Sequence, residues 1–359
     1  MTETPLTDGR PADTRGGEAS PGLLGRIDRD MRTAIALLAI SFVLIVASRA
    51  LGPNFGSLTQ MKAILVISSF LMVVAFGQQM VILLGGLDLS VASMMTLGGV
   101  LAFKWIGGPS ASSVLWGVPA ILLITAALGA CSGIGVSLVK IPPFIMTLAM
   151  GVILYGVTLG FTQGTPTGQP SAALSSLFAT TAMGTPILYL MVLGTAAGCF
   201  LQIRTSFGRK VYALGTNPTA AFVAGLPVHR LTIAAHAISG ASAGLAGILM
   251  LGYVRGVTLT LGQSYLLPSV AAVVVGGTSI VGGRGIYLGA AAGAILLTTL
   301  STLVSSLGIA EGWRTIIYGV VIFLALVLLR DDLMQLIKRS GFSRSTPRST
   351  PQSSNKQRE

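Results

Sequence analysis

The sequence predicts an all-α integral membrane protein of about ten transmembrane helices, and three observations lead to this class. Of its 359 residues, 52% are hydrophobic and only 9% charged, with a mean hydropathy of +0.80, whereas soluble domains are about a quarter charged. Residues 33–329 contain 11 basic and two acidic side chains, and residues 141–203 contain no charge. Apolar runs recur at the roughly 20 residues that a bilayer requires. Because ionised groups are costly in hydrocarbon, this distribution excludes a soluble enzyme, and the high hydrophobicity excludes a disordered chain.

Ten apolar runs meet the length rule. They lie near 33–51, 61–84, 89–106, 115–139, 143–161, 186–203, 232–252, 268–282, 286–308 and 313–330. The first run is expected to be retained, because the residues before it lack the short basic region that opens a signal peptide. The third and eighth are the weakest, since one begins at Asp88 and the other breaks at paired glycines. Each of these two is a full span, a half-span or a re-entrant segment.

Charge placement predicts the orientation. Residues 1–32 and 331–359 are polar and are expected to be mobile cytoplasmic tails that flank a transmembrane domain over 33–330. The positive-inside rule places both tails and six internal basic residues in the cytoplasm if the number of spans is even: Lys140, Arg204, Arg209, Lys210, Arg230 and Arg284. Arg255, Glu311 and Arg314 then lie outside. The formal charge of +12 therefore indicates membrane topology, and we predict no nucleic-acid partner.

Small residues predict how the helices pack. The chain contains 46 glycines, and pairs recur four residues apart at Gly240 and Gly244 and at Gly289 and Gly293. In lipid no hydrophobic force drives helices together, so close approach through small residues supplies the packing.

Catalytic and cofactor chemistry is not expected in this chain. No segment matches the phosphate-binding loop; the nearest, residues 206–210, lacks the leading glycine and the trailing hydroxyl, so ATP should not bind here. Two cysteines (Cys131, Cys199) and two histidines (His229, His236) are too few and too dispersed for a metal site. We interpret all four as structural.

Three polar stretches interrupt the apolar runs. In the first, residues 84–91, either Asp88 caps the helix that follows or it holds a mobile helix end where spans meet an intracellular partner. In the second, residues 204–230, Asn217 and Pro218 are expected to begin a short helix. That loop lies either on lipid headgroups or against a cytoplasmic subunit. In the third, residues 274–285, paired glycines and Arg284 form a flexible or tightly approaching turn.

Four segments of these regions resemble the successive motifs of ribose/xylose/arabinose-type ABC importer permeases. They are LGGLDLSV at 84–91, KIPPFIMTL at 140–148, FGRKVYALG at 207–215 and VGGTSIVGGRG at 275–285. They occur in the family's order, and the resemblance covers about residues 30–330. Four ordered motifs are far more specific than any one of them.

The resemblance implies the permease subunit of a binding-protein-dependent importer that moves a ribose-, xylose-, arabinose- or galactose-like monosaccharide by alternating access. It implies a fold of about ten spans, as in the vitamin B12 importer permease, in a homodimer or heterodimer. A periplasmic or lipid-anchored sugar-binding protein docks outside. An ATPase subunit, which binds the ATP, docks inside.

The resemblance also assigns residues. In the family's ATPase-coupling pattern, E-A-A-x-x-x-G, Thr219 stands where glutamate is usual, and this removes one possible salt bridge to the ATPase. The coupling loop 204–230 is assigned Gly208, Arg209, Gly215, Asn217, Thr219, Ala220, Ala221 and Gly225. The cytoplasmic helix ends are assigned Gly85, Gly86, Asp88, Ser90, Gly276, Gly277, Gly282, Gly283 and Arg284.

A neutral sugar needs hydroxyls, amides and aromatic rings along its path. Candidates for the lining are Gln78, Gln79, Phe144, Thr147 and Tyr155.

Two other classes of function compete with the importer. An ion-coupled secondary transporter of a small neutral solute needs an intramembrane carboxylate or discontinuous helix ends, and Asp88 is the candidate. A membrane-embedded enzyme needs clustered His, Asp or Glu side chains at one membrane face, and the sequence shows no such cluster.

Overall fold

A computed structural model describes residues 23–308, apart from 53–54, 109–111 and 182–183, together with some positions between 310 and 323. Over these residues the chain is helical and contains no β-strand beyond two isolated bridges. Residues 1–22, Glu311, Arg314, most of the predicted tenth span and the predicted C-terminal tail lie outside the described part. The first helix begins at Leu23, inside the segment predicted as an N-terminal tail.

Twelve α-helices follow one another in the described residues. They are α1 (Leu23–Ala47), α2 (Leu58–Ile82), α3 (Val91–Trp105), α4 (Ser112–Ser137), α5 (Pro143–Thr162), α6 (Ala172–Ser176), α7 (Pro186–Arg204), α8 (Ser206–Thr216), α9 (Pro218–Val223), α10 (Val228–Val254), α11 (Leu266–Val275) and α12 (Tyr287–Ser306). Short 3₁₀ turns follow α1 and precede α11. Seven helices are long and apolar enough to cross a membrane, namely α1, α2, α4, α5, α7, α10 and α12. The chain is therefore a multi-pass helical membrane protein, as the sequence predicts.

The two weakest predicted spans are short helices. At 1.5 Å per residue, the 15 residues of α3 extend about 22 Å and the 10 residues of α11 about 15 Å. A bilayer core is about 30 Å thick, so neither helix crosses it alone. Both are largely buried among their neighbours. Burial in protein is the condition under which non-helical backbone is tolerated at membrane depth.

Helix α10 is the centre of the bundle and packs against α4, α3 and α2. A Cβ added to Gly240 or Gly244 would lie within 3.0 Å of Thr125 on α4, and one added to Gly247 would lie equally close to backbone of α3. Gly289 and Gly293 meet the backbone of α11 in the same way. The prediction that small residues set the close approach of the helices is confirmed at both pairs.

The peripheral helices leave much of their surface uncovered. The candidate spans of α1, α4, α5 and α7 are between 17% and 28% buried, whereas that of α2 is 78% buried. The uncovered side chains are apolar, as lipid or another hydrophobic surface requires.

Candidate functional site

The first and third polar stretches meet at one end of the bundle. Helix α2 ends at Ile82, and the carbonyl of Leu83 accepts a hydrogen bond of 2.9 Å from the N–H of Gly283. Gly282 also packs here, since an added Cβ would lie within 3.0 Å of Leu83 O and of Gly85 N. The backbone angle φ is positive at Gly85 (77°), Gly282 (100°) and Gly283 (70°), a region that favours glycine. The tight turn predicted from the paired glycines is therefore confirmed.

The second stretch joins the same point. Gly215, near the end of α8, lies so close to Leu83 O and to Gly283 N that an added Cβ would be within 3.0 Å of both. The hydroxyl of Tyr212 on α8 donates to the carbonyl of Gly285, 2.5 Å away. We call the contact of Leu83, Gly85, Gly215, Gly282 and Gly283 the glycine junction.

The fourth segment, 140–148, reaches the junction through α5. The Thr147 hydroxyl is fully buried, accepts from the N–H of Leu89 at 3.1 Å and lies 3.0 Å from the carbonyl of Leu87. An added Cβ on Gly86 would lie 3.3 Å from Pro143. All four segments that carry the family resemblance are thus brought together in space. Thr147, predicted as a pathway residue, holds the segment between α2 and α3.

Asp88 lies in the interior of the bundle. One carboxylate oxygen accepts from the N–H of Ser90 (2.9 Å) and from its hydroxyl (2.5 Å), and the other accepts from the hydroxyl of Ser239 on α10 (2.7 Å). Helix α3 begins later, at Val91. The carboxylate therefore caps α3 only through Ser90 and also binds the central helix, and it is completely buried.

Replacing Asp88 with alanine is expected to lower the thermal unfolding midpoint of the detergent-purified protein. The hydroxyls of Ser90 and Ser239 would lose their acceptor in a buried site, and each unsatisfied polar group costs about 1–3 kcal/mol. Asp88→Asn keeps one carbonyl oxygen and should have a smaller effect. Ser41→Ala is the matched control, because that hydroxyl bonds only within its own helix.

A double-mutant cycle tests the hydrogen bond between Asp88 and Ser239 directly. Asp88→Ala and Ser239→Ala should be less destabilising together than the sum of their separate effects. Additive effects, or an Asp88→Ala midpoint equal to that of the Ser41→Ala control, would contradict a bond between the two elements.

A chain of buried hydrogen bonds runs beside the junction. Gln79 Nε2 donates to Thr278 Oγ1 (2.9 Å), Gln202 Nε2 donates to Gln79 Oε1 (3.1 Å), and the N–H of Tyr287 donates to Gln202 Oε1 (2.7 Å). It connects α2, α7, the 276–285 turn and the start of α12. Both amide atoms of Gln79, a predicted pathway residue, are engaged in this chain.

The other predicted pathway residues do not come together. Gln78 is buried, and its amide atoms have no hydrogen-bond partner in the described part of the chain. Phe144 and Tyr155 on α5 are 53% and 41% exposed on the outer surface of the bundle. None of these side chains, nor Gln79 or Thr147, lines either of the two cavities described below.

The coupling loop contains two helices. Residues 206–216 form α8, where the sequence suggested only a loop. Within this helix, Gly208 lies against the backbone of Gln202. The exposed Arg209 donates a hydrogen bond to the carbonyl of Arg204 (2.8 Å). Helix α9 starts as predicted, with Pro218 in its first turn and Asn217 Oδ1 accepting from the N–H of Ala220 (3.0 Å).

Helix α9 has a buried side and an exposed side. Ala221 is buried in a cluster with Leu83, Val211, Leu214 and Leu231, so α9 shares a hydrophobic cluster with a residue of the glycine junction. The helix ends at Val223, and the chain turns at Gly225, where φ is +76° and no atom lies within 4 Å of an added Cβ.

Two apolar side chains on the exposed side were not predicted. Phe222 is 68% exposed and Val223 is 80% exposed, and the predicted residues Thr219 and Ala220 are exposed beside them. The available signal for this exposed surface was the adjacent pair Phe222 and Val223 inside the loop, but the sequence analysis interpreted both only as part of the short helix.

Charge also distinguishes this end of the bundle. The exposed charged side chains of α8 and of the turns that meet it are basic, and they include Lys140, Arg204, Arg209, Lys210 and Arg284. Arg255 follows the opposite end of α10. The prediction placed these residues on one side of the membrane and Arg255 on the other; which side is cytoplasmic stays a prediction, and Glu311 and Arg314 lie outside the described residues.

Sequence reasoning missed the polar region at the opposite end. Two adjoining cavities of about 280 Å³ and 760 Å³ lie there, and hydroxyl and amide side chains of residues 258–264 and of α12 form part of their lining beside apolar residues. The Ser- and Thr-rich runs at 258–264 and 298–302 were the available signal, but they resemble ordinary membrane helix and loop sequence.

Together the fold and the glycine junction define an all-helical, multi-pass membrane transport protein. Long and half-length helices meet at a backbone-to-backbone junction beside an exposed short helix. The described residues contain no group of three His, Cys, Asp or Glu side chains that could hold a metal ion.

Residues 60–326 match the family described as branched-chain amino acid transport system / permease component, and the chain belongs to that family. It is 34% identical to the ribose import permease protein RbsC of Escherichia coli K12 over 304 residues, covering 83% of this chain and 93% of that protein. It is 33% identical to the fructose import permease protein FrcC of Rhizobium meliloti over 308 residues, covering 82% and 84%. The inner membrane ABC transporter permease protein YjfF of Escherichia coli K12 is 35% identical over 288 residues, covering 77% and 86%. No solved structure matches the chain.

Proposed function

We propose that this chain is the transmembrane permease subunit of an ATP-driven importer and moves a monosaccharide across the cytoplasmic membrane by alternating access. The family and the two sugar import permeases among its relatives support the substrate class. The observation that carries the proposal is the position of α9. It is an exposed short helix whose buried Ala221 shares a hydrophobic cluster with Leu83, a residue of the glycine junction where the motifs meet.

The ATPase is a separate subunit that binds ATP and docks on α9. Phe222 and Val223 expose apolar surface on a loop that is otherwise basic and polar, and such surface is suited to a protein partner. Thr219 is exposed at the position where the family pattern has glutamate, so contact with the ATPase depends on the apolar side chains and the helix shape rather than on a salt bridge there.

The contacts give a route from α9 into the membrane. A displacement of α9 acts through Ala221 on Leu83 and through the Leu83–Gly283 bond on the turn that leads to α12. The Asp88–Ser239 bond carries it to the central helix. ATP binding to the partner shifts the balance between outward- and inward-open states only if the partner contacts the two states differently.

The assembled importer contains further parts. A second permease copy, most simply an identical one, covers part of the apolar surface of the peripheral helices, and lipid covers the rest. A periplasmic or lipid-anchored sugar-binding protein docks at the end that carries Arg255. The tenth span over 313–330 completes a fold similar to that of the vitamin B12 importer permease, with both termini in the cytoplasm.

Co-purification tests the proposal first. The tagged chain is extracted from its native host in mild detergent, and its partners are identified by mass. We expect an ATPase with a phosphate-binding loop. The complex is then reconstituted into liposomes and supplied with its sugar-binding protein, and ATP should drive uptake of at least one labelled sugar among ribose, xylose, arabinose, galactose and fructose.

Two outcomes would contradict the proposal. One is a chain that purifies alone under conditions that preserve other membrane complexes. The other is uptake that follows an ion gradient and is indifferent to ATP, and this would favour the secondary transporter and return attention to Asp88.

A further inference from the structure

The two cavities at the end opposite the glycine junction adjoin one another. The larger, about 760 Å³, is bounded by the end of α10 and by residues 256–264, and it is the more open of the two. The smaller, about 280 Å³, lies between α2, α11 and α12. Gln263, Ser264 and Thr315 line both cavities, so the larger cavity leads into the smaller one.

The smaller cavity is polar without being charged. Its polar lining comes from Gln263, Ser264, Tyr265, Thr298, Ser301, Thr302 and Thr315. Ile67, Leu71, Leu267 and Pro268 supply apolar wall, and among the residues that the structure describes no Asp, Glu, Lys, Arg or His takes part in the lining. Hydroxyls, an amide and one aromatic ring therefore face a space at the lower end of the range for ligand pockets, roughly 300–1,000 Å³.

Thr298 contributes a hydroxyl to the lining of the smaller cavity. The residue is only 6% exposed, and its hydroxyl makes no hydrogen bond within the described part of the chain. Its neighbour Thr299 differs, since that hydroxyl donates to the carbonyl of Ile295 in its own helix at 2.8 Å. The Thr298 hydroxyl is not among the fully buried unpaired atoms of the described residues, so it reaches the cavity, where water or a bound ligand supplies its hydrogen bond.

Three more polar side chains of the lining also lack an internal partner; Gln263 and Ser264 are exposed, and Thr302 is half-buried. Gln263, Ser264 and Thr302 make no side-chain hydrogen bond within the described residues. With Thr298 they offer three hydroxyls and one amide toward a single space, and each hydroxyl can both donate and accept.

We propose that the smaller cavity is a binding site for a neutral monosaccharide inside the permease, and that the larger cavity is its entrance. The inference rests on the proposed importer function and adds a substrate site to it. A sugar presents several hydroxyls that pair with these side chains, and its C–H faces fit the apolar wall and the ring of Tyr265. A zwitterionic amino acid would instead bring two charges into a site whose described lining carries no charge, which is costly.

Cysteine protection in the permease–ATPase complex tests this site. Cys131 and Cys199 are first replaced by serine, because Cys131 is exposed and would react. Thr302→Cys is then labelled with a maleimide in the presence and absence of the sugar that the liposome assay shows to be transported. We expect the sugar to slow labelling at least about threefold and leucine to leave the rate unchanged.

Matched variants make the test specific. Ser305→Cys is exposed on α12 outside the cavity lining and should label at the same rate with or without sugar. Thr298→Val should remove the protection by losing one hydroxyl without a change of shape, whereas Thr299→Val should keep it. If Thr302→Cys prevents folding, Ser264→Cys replaces it in the same cavity.

Each result decides the question. Sugar-independent labelling in a complex that transports the sugar would overturn the site and leave the importer function standing. Protection by leucine equal to that by the sugar would overturn the ligand class. A complex that takes up none of the five sugars with ATP would refute the importer function itself.

Discussion

Substituting Gly215 with alanine is expected to abolish ATP-driven uptake, lowering it at least about tenfold, and to reduce the yield of folded protein. The added methyl group would lie within 3.0 Å of the Leu83 carbonyl and of the Gly283 nitrogen. Extra volume in a packed site costs about 1–3 kcal/mol even where side chains can move aside. Here the neighbours are backbone atoms that also form the Leu83–Gly283 hydrogen bond. Uptake by proteoliposomes and the yield from size-exclusion chromatography measure the two effects.

Gly194 on α7 supplies the matched control. No atom lies within 4 Å of a Cβ added there, so Gly194→Ala makes the same chemical change in open space. Uptake and yield should match those of the unsubstituted protein. If Gly215→Ala behaved like Gly194→Ala, the glycine junction would not be a close backbone contact in the working transporter.

Substituting Phe222 with aspartate is expected to detach the ATPase and to lower ATP-driven uptake at least about tenfold, while the permease still inserts and folds. The side chain is 68% exposed and contributes little to the bundle itself. In the proposed interface it is buried, and a carboxylate in an apolar contact pays a desolvation penalty without a partner. Recovery of the ATPase with the tagged permease measures the first effect, and proteoliposome uptake measures the second.

Ala213→Asp tests whether added charge alone is responsible. Ala213 is an exposed residue of α8 in the same loop. This variant adds the same charge without removing the exposed apolar ring, and it should retain the ATPase. Retention of the ATPase by Phe222→Asp would exclude α9 as the docking helix.

The order and type of the spans could be predicted from the sequence because bilayer thickness fixes helix length. Hydropathy alone identified the segments that became α2, α4 and α10. The start of α9 was equally local, since Asn217 and Pro218 satisfy the first turn of a helix whatever surrounds them. Helix α8 was missed because its two glycines and low hydropathy are typical of a loop, and its stability comes from packing of Val211 and Leu214 against other helices.

The candidate site could be predicted only in pieces. Four motifs were identifiable, but the bond from Gly283 to Leu83 joins residues 200 positions apart, and nothing local to Asp88 indicates Ser239 as its partner. The pathway residues were chosen by side-chain type. The structure uses Gln79 and Thr147 in hydrogen bonds between segments and leaves Tyr155 on the outer surface. Side-chain chemistry predicts what a residue can bind, and only the fold decides what it faces.

The uncovered surface of α1, α4, α5 and α7 has a consequence for how the stability of this protein is measured. Helix α2 is held from nearly all sides, but α7 buries only 17% of its span. Any molecule that binds the folded chain and not the unfolded one raises the unfolding midpoint by mass action. The melting temperature of the purified permease therefore depends on the concentration of whatever binds these helices. It should rise with protein concentration if a second copy covers these helices, with added phospholipid if lipid does, and with the ATPase if α9 is occupied.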